Sequence, residues 1–162
     1  GKGYAAAKAI GTLRDRGFPR ALVAIAGDIA AGDPPPGKRG WSVEIEAPDG
    51  SRTAIELART SVSTSGDREQ YIERDGVRYS HLLDPHTGIG ATTQRQVTVI
   101  GPDGAVVDAL SSALSIAGAD RVEGILAAFA PDYRAIRYER PVRDGRSTSS
   151  GESPAAARRS PG

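Results

Sequence analysis

Two Asp-Gly pairs, at 49–50 and 75–76, constrain this chain more than any other feature, because each sits between two short runs of strand character. Asp-Gly suits the two-residue turn in which both central residues take positive φ, and that turn folds its flanking strands back on one another. Before the first pair, Trp41, Val43 and Ile45 alternate with Ser42, Glu44 and Glu46; after it, Arg52 to Leu57 returns. Around the second, Tyr71 to Arg74 and Val77 to Leu83 flank the turn, and a two-residue loop sets Glu73 opposite Arg78, a favourable cross-strand charge pair. Antiparallel pairing is therefore built in locally, and it argues against a purely parallel sheet.

Helical periodicity surrounds the hairpins. Lys2 to Asp15 predicts a helix, with Ala6, Ile10 and Leu13 at i, i+4 and i+7, stopped by Gly17 and Pro19. Val107, Leu110, Leu114 and Ala117 mark a second helix ended by Gly118, and a third runs from about Arg121 to Phe129. The apolar run Ala21 to Ala26 predicts a short strand buried on both faces and ending in Gly27-Asp28; Val97 to Ile100 and Tyr133 to Tyr138 predict further strands. Residues 30–40, with prolines at 34, 35 and 36, predict a surface loop. The sum is an α+β layer fold over residues 1–142. Residues 143–162 hold almost no large apolar side chain and predict a disordered tail rich in Ser, Gly, Pro and Arg.

Charge and composition narrow the partners. The formal net charge is +1, and the tail carries +2 of it through Arg143, Arg146, Arg158 and Arg159 against Asp144 and Glu152, so the body bears no basic footprint for nucleic acid. No apolar run approaches the length of a membrane span, and the start has no leader character. With no methionine even at position 1, the chain reads as a piece of a longer protein. The absence of cysteine excludes disulfides, thiolate metal sites and thiol nucleophiles.

Four segments carry candidate chemistry. Asp108, Ser112 and Ser115 make a polar stripe at i, i+4 and i+7 on an otherwise apolar helix. Such a stripe is either a solvated, self-capping face or a place where a carboxylate and a hydroxyl converge on a hard cation such as Mg²⁺. Both histidines lie in Tyr79 to Gly88. On a strand His81 shares a face with Tyr79 and Leu83, partly buried at the edge of a site, either as a structural group or as an acid–base group; His86, in the turn, reads as surface. Ser61 to Asp67 is a hydroxyl-rich stretch of loop character suited to offering donors to a phosphate or ribose. Ala26 to Ile29 places a glycine and a carboxylate where a buried strand ends.

In their order along the chain, Lys2-Gly3-Tyr4-Ala5, Ala26-Gly27-Asp28-Ile29, Ser63-Thr64-Ser65-Gly66-Asp67, Tyr79 to Gly88 (YSHLLDPHTG) and Val106 to Leu114 (VVDALSSAL) resemble the FAD:protein FMN transferase family, also called the ApbE family. The likeness runs from Gly1 to about Tyr138. It implies a T-fold-like α+β architecture, present here as a C-terminal portion, with FAD in a cleft and Mg²⁺ at its pyrophosphate. The implied reaction moves FMN onto a Thr or Ser hydroxyl of an acceptor protein and releases AMP.

By motif, Asp108 and Ser112 become metal ligands, His81 the general base, and Asp84 the residue that orients His81 or its loop. Lys2, Tyr4, Gly27, Asp28, Thr64, Ser65, Gly66 and Asp67 become the lining of the flavin nucleotide pocket. Ser112 stands where the family usually has Thr, which keeps the oxygen but loses a methyl that restricts its rotamer. The family domain is longer than this chain, which begins inside the motif carrying Lys2-Gly3-Tyr4, so upstream flavin contacts and a backbone carbonyl ligand fall before Gly1. The resemblance also implies a bacterial protein that is exported, periplasmic or membrane-anchored. Two other outcomes suit the same motifs: a hydrolase splitting FAD with water, and a non-catalytic flavin-binding module.

Overall fold

The structure, a computed structural model, describes residues 1–66, 71–92 and 95–139, the side chains of Ala119 and Glu139 excepted. The predicted tail at 143–162 and the candidate Asp67 lie outside the described residues.

The chain opens with α1 (Lys2–Asp15) and then β1 (Leu22–Ile25) and β2 (Asp28–Ala31), a tight hairpin whose register pairs Ile25 with Asp28. Its two turn residues, Ala26 and Gly27, have φ of 43° and 94°. Positive φ at both positions is what a twisted two-residue hairpin needs, and alanine meets it against its own preference at a cost of about 1–2 kcal/mol. The expected strand at Ala21 to Ala26 is thus one arm of a hairpin at the sheet edge, half-exposed and not buried on both faces, and Ala30 and Ala31 belong to β2 instead of a loop. The pair Ala-Gly lacks the side-chain signature that Asp-Gly provides.

Both Asp-Gly hairpins form, the second through the expected two-residue turn, with φ of 52° at Asp75 and 73° at Gly76, and the first through a longer loop over residues 47–51 in which Gly50 but not Asp49 has positive φ. β3 (Trp41–Glu46) pairs with β4 (Arg52–Leu57), and β6 (Tyr71–Arg74) with β7 (Val77–Ser80), Glu73 facing Arg78. Between them runs β5 (Thr60–Gly66), so the hydroxyl-rich segment expected as a loop is a strand, and a central one. β8 (Arg95–Gly101), α2 (Gly104–Ala117), α3 (Ala119–Phe129) and β9 (Arg134–Glu139) complete the order. Asp103 caps α2, its Oδ1 accepting from the Ala105 and Val106 N–H groups at 2.7 and 3.1 Å.

The main sheet has the order β1-β2-β5-β8-β9, and every neighbour is antiparallel. Alternation divides its side chains between two layers. Val97, Val99 and Ala135 face the helices and pack with Val107, Leu114, Val122 and Leu126. Ala31, Val62 and Ile100 face the β3–β4 hairpin and pack with Leu57, Trp41, Val43 and Ile55. The fold is α+β, with helices on one face and a hairpin on the other. Among the described residues, no helix is long and apolar enough to cross a membrane.

Candidate functional site

A cavity of about 530 Å³ opens between the hairpin-facing side of the sheet and β3. Three structural causes bring its walls together. The strained β1–β2 turn supplies Ala26 and Gly27, the last residues of β5 supply Thr64, Ser65 and Gly66, and β3 supplies Val43 to Glu46. Ile29 and Val62 give an apolar floor suited to a flat ring, while Lys2, Gln96 and His81 bring polar groups to the margin. Gln96 is buried, and its Nε2 donates to the Glu46 carbonyl at 2.7 Å, which pins β3 to the sheet. Glu44 and Glu46 hold Arg52 at 3.2 and 3.5 Å on the exposed side of the hairpin.

Lys2, Gly27, Thr64, Ser65, Gly66 and His81, six residues singled out from separate segments, therefore line one cavity. Strand β7 ends at Ser80, so His81 does not continue the pleat with Tyr79 and Leu83 as expected; it follows in a bend and is exposed. Asp84 organises the loop that bears it. Its Oδ1 accepts from the His86 N–H at 2.9 Å, and its backbone carbonyl accepts from Gly88 at 2.8 Å. Gly90 lets this loop fold back tightly, since a Cβ there would stand 2.3 Å from the Ser80 carbonyl oxygen.

Three other expected residues lie elsewhere. Tyr4 is 54% exposed, with the Lys8 Nζ 5.4 Å from its ring centre, and does not line the cavity. Asp28 is only 2% exposed and points to the helix layer, because β2 turns its even-numbered side chains away from the cavity floor. Ser115 donates back to the Ser112 carbonyl at 2.7 Å, the self-capping outcome for that member of the stripe.

Asp108 and Ser112 sit beside the cavity, brought there by a close crossing of α1 and α2. A Cβ on Gly3 would meet the Gly104 carbonyl oxygen at 2.1 Å, and one on Gly104 would meet that of Gly3 at 2.3 Å. Only glycine at both positions lets the Gly3 N–H reach Asp108 Oδ2, at 3.0 Å, beside the Gly1 nitrogen. Burial alone would raise the Asp108 carboxyl, but the bonds from the Gly1 nitrogen and the Gly3 N–H and the positive charge of Lys2 outweigh it and hold its pKa below the usual 3.8. An ionised carboxylate and a hydroxyl one helical turn apart are the hard oxygen donors that a divalent cation accepts, so these residues fit such an ion. Among the described residues, no cluster of three or more His, Asp or Glu forms a closed metal cage.

Behind the cavity lies a row of hydroxyls that sequence reasoning missed. Ser63 donates to Asp28 Oδ1 at 2.6 Å and lies 3.0 Å from Ser111 Oγ. Ser111 donates to Ser65 at 3.0 Å, and Ser65 lies 2.9 Å from Ser112 Oγ. The helical stripe was drawn at i+4 and i+7, which passes over Ser111 at i+3, and nothing local announces that β5 runs beneath α2.

The comparisons with known proteins agree on one group. The model of the ApbE family matches residues 1–136. Over 131 residues the chain is 30% identical to an FAD:protein FMN transferase of Klebsiella pneumoniae (strain 342), covering 78% of this chain and 37% of that protein. Over 141 residues it is 33% identical to the protein of that name from Treponema pallidum (strain Nichols), covering 79% and 39%. The apo crystal structure of the flavinyl transferase ApbE of Pseudomonas stutzeri superposes with a TM-score of 0.73 at 36% identity, over 86% of this chain and 44% of that one. The flavin transferase ApbE of Vibrio cholerae gives a TM-score of 0.70 at 27% identity, over 85% and 48%. The chain thus spans under two fifths of the length of these two curated relatives and under half of these solved structures.

Proposed function

The chain belongs to the ApbE family, and from that premise we propose that it serves FAD:protein FMN transfer, moving FMN from FAD to a Thr or Ser hydroxyl of an acceptor protein and releasing AMP. The observation that carries this reading is the gathering of Lys2, Gly27, Thr64, Ser65, Gly66 and His81 around one cavity, with the Ser112 hydroxyl bonded to that wall through Ser65. The apolar floor of Ile29 and Val62 would take a flat ring, and the margin at Lys2 and Ser65 a phosphate chain.

Asp108 and Ser112 would hold a divalent cation, taken to be Mg²⁺, whose chemistry is to neutralise charge on the diphosphate oxygens. The chain's own residues do the rest. Lys2 draws the phosphates by charge, and Gly27 and Gly66 let the backbone come close to the ligand. His81 is exposed at the cavity margin, where a hydroxyl borne by another protein can reach it. Its imidazole would take the proton from that hydroxyl as the oxygen bonds to the phosphorus of the FMN half; the bond from that phosphorus to the AMP oxygen breaks, and AMP leaves. Asp84 serves this step by shaping the His81 loop.

The test is incubation of the purified chain with FAD, Mg²⁺ and a Thr-bearing acceptor peptide, followed by mass spectrometry and nucleotide analysis. The expected result is a flavinylated peptide matched by AMP. His81→Ala should lower transfer by about 10²-fold or more while FAD still binds; normal transfer by that variant overturns the assignment of the base. AMP formed with no peptide adduct would reassign the chemistry to hydrolysis.

A further inference from the structure

A second cavity, of about 310 Å³, lies under the C-terminal half of α1 and shares no residue with the first. Its floor includes Ala30 of β2 and Ser61 of β5, paired in register, while the preceding pair, Ile29 and Val62, floors the first cavity. Alternation along the strands thus sets the two cavities back to back across the sheet. Ser61 is only 4% exposed, yet among the described residues its Oγ has no hydrogen-bond partner, and it is not one of the polar atoms sealed from solvent, so what surface it keeps opens into this cavity. Its neighbour Thr60 gives its own hydrogen to the Gly101 carbonyl at 2.8 Å. A buried hydroxyl left in this way lacks a partner that a guest could supply. Gly11, on the helical wall, adds a second observation. Glycine inside a helix weakens it relative to alanine, and Gly3 on the same helix has a steric reason, since a Cβ there would strike α2. Gly11 has none: a Cβ there meets nothing within 4 Å, and the backbone needs no positive φ. What this glycine provides is room in the cavity. Of the three charged side chains on the wall, Arg59 and Asp33 neutralise each other through a bond of 2.7 Å. Arg14 remains, and among the described residues it forms no ion pair.

We propose that this cavity binds a small organic carboxylate. One uncompensated positive charge suits a monoanion, and a guanidinium presents parallel N–H donors that match the two oxygens of a carboxylate. Ser61 has a hydrogen to donate to the same group. Ala7, Ile10, Gly11 and Ala30 give the rest of the wall a small apolar lining, which suits a short hydrocarbon body and not a bare inorganic ion. The site stands apart from the flavin reading, because none of its walls belongs to the flavin cavity.

The test is a titration of the purified, isotopically labelled chain, followed by its amide NMR resonances, with hexanoate, its neutral counterpart hexanamide, and inorganic phosphate. Hexanoate should shift the amides of Gly11, Ala30 and Ser61 saturably and leave those of Thr64 to Gly66 in place. Hexanamide and phosphate should each bind at least about tenfold more weakly, the first for want of charge and the second for want of an apolar body. Arg14→Gln should weaken hexanoate by about tenfold, the loss of a charge-assisted hydrogen bond, and Ser61→Ala should weaken it by less. Gly11→Leu should fill the cavity and abolish binding, with melting curves to confirm that the variant folds. No saturable shift with hexanoate would leave water as the occupant and overturn the proposal. Shifts centred on Thr64 to Gly66 would place the ligand in the flavin cavity and overturn it too. Equal affinity for hexanamide, tighter binding of phosphate, or unchanged hexanoate affinity in Arg14→Gln would each overturn the carboxylate assignment.

Discussion

Strands β5 and β8 lie side by side under the same helix, yet they offer it opposite chemistry. In register, Ser63 stands beside Val99 and Ser65 beside Val97. On the β8 side, α2 meets the valines with Val107 and Leu114, all of them buried. On the β5 side it meets the serines with Ser111 and Ser112 through hydroxyl bonds of about 3 Å. Burial of apolar surface stabilises the first contact directly, whereas the second only recovers what its hydroxyls lose on leaving water. Polar packing that adds little stability has a reason to lie beneath a cavity wall, and the dry half of the helix supplies the stability it forgoes.

The sharpest way to break this contrast is to truncate both sides. Leu114→Ala should cost about 2–5 kcal/mol in chemical denaturation, since the side chain is wholly buried among apolar neighbours. Ser111→Ala, equally buried on the same helix, should cost less, about 1–3 kcal/mol, by leaving Ser63 and Ser65 short of a partner. Equal losses would mean that the wet side carries as much stability as the dry one.

A smaller effect concerns acid. Asp108 has a folded pKa below its usual 3.8, so its contribution is complete above that value and is lost as the pH falls through the depressed one. Denaturation midpoints followed from about pH 5 to about pH 2 should fall more steeply in wild type than in Asp108→Asn. Parallel curves would show that Gly1, Gly3 and Lys2 do not stabilise the carboxylate. The smallest effect belongs to Tyr4, expected from sequence to line the pocket but found exposed. Tyr4→Ala should change stability by no more than about 0.5 kcal/mol and leave FAD affinity alone; a clear loss of affinity would extend the site beyond the cavity walls.

What could be read in advance follows from how local each cause is. Asp75-Gly76 carries its turn in two residues, so the hairpin and the facing of Glu73 and Arg78 were legible. The helices were legible because their periodicity repeats over several turns. The Ala26-Gly27 turn was not, because alanine there takes a backbone conformation it disfavours. Strand β5 was not, because serines that look like a loop are held in a central strand by hydroxyls from a helix some fifty residues away in sequence. The same long-range pairing decides that Asp28 anchors Ser63 in the interior instead of lining the cavity.

The proposed transfer requires that Asp108 and Ser112 hold a cation against the diphosphate of a nucleotide in the cavity. Phosphorus NMR of FAD bound to the purified chain, with paramagnetic Mn²⁺ added in small steps, tests that contact directly. Both diphosphate resonances should broaden at Mn²⁺ levels well below those that affect FAD free in solution, and Asp108→Ala should remove the difference. Equal broadening in wild type and Asp108→Ala would contradict the account, because the ion would then owe its place to the nucleotide alone.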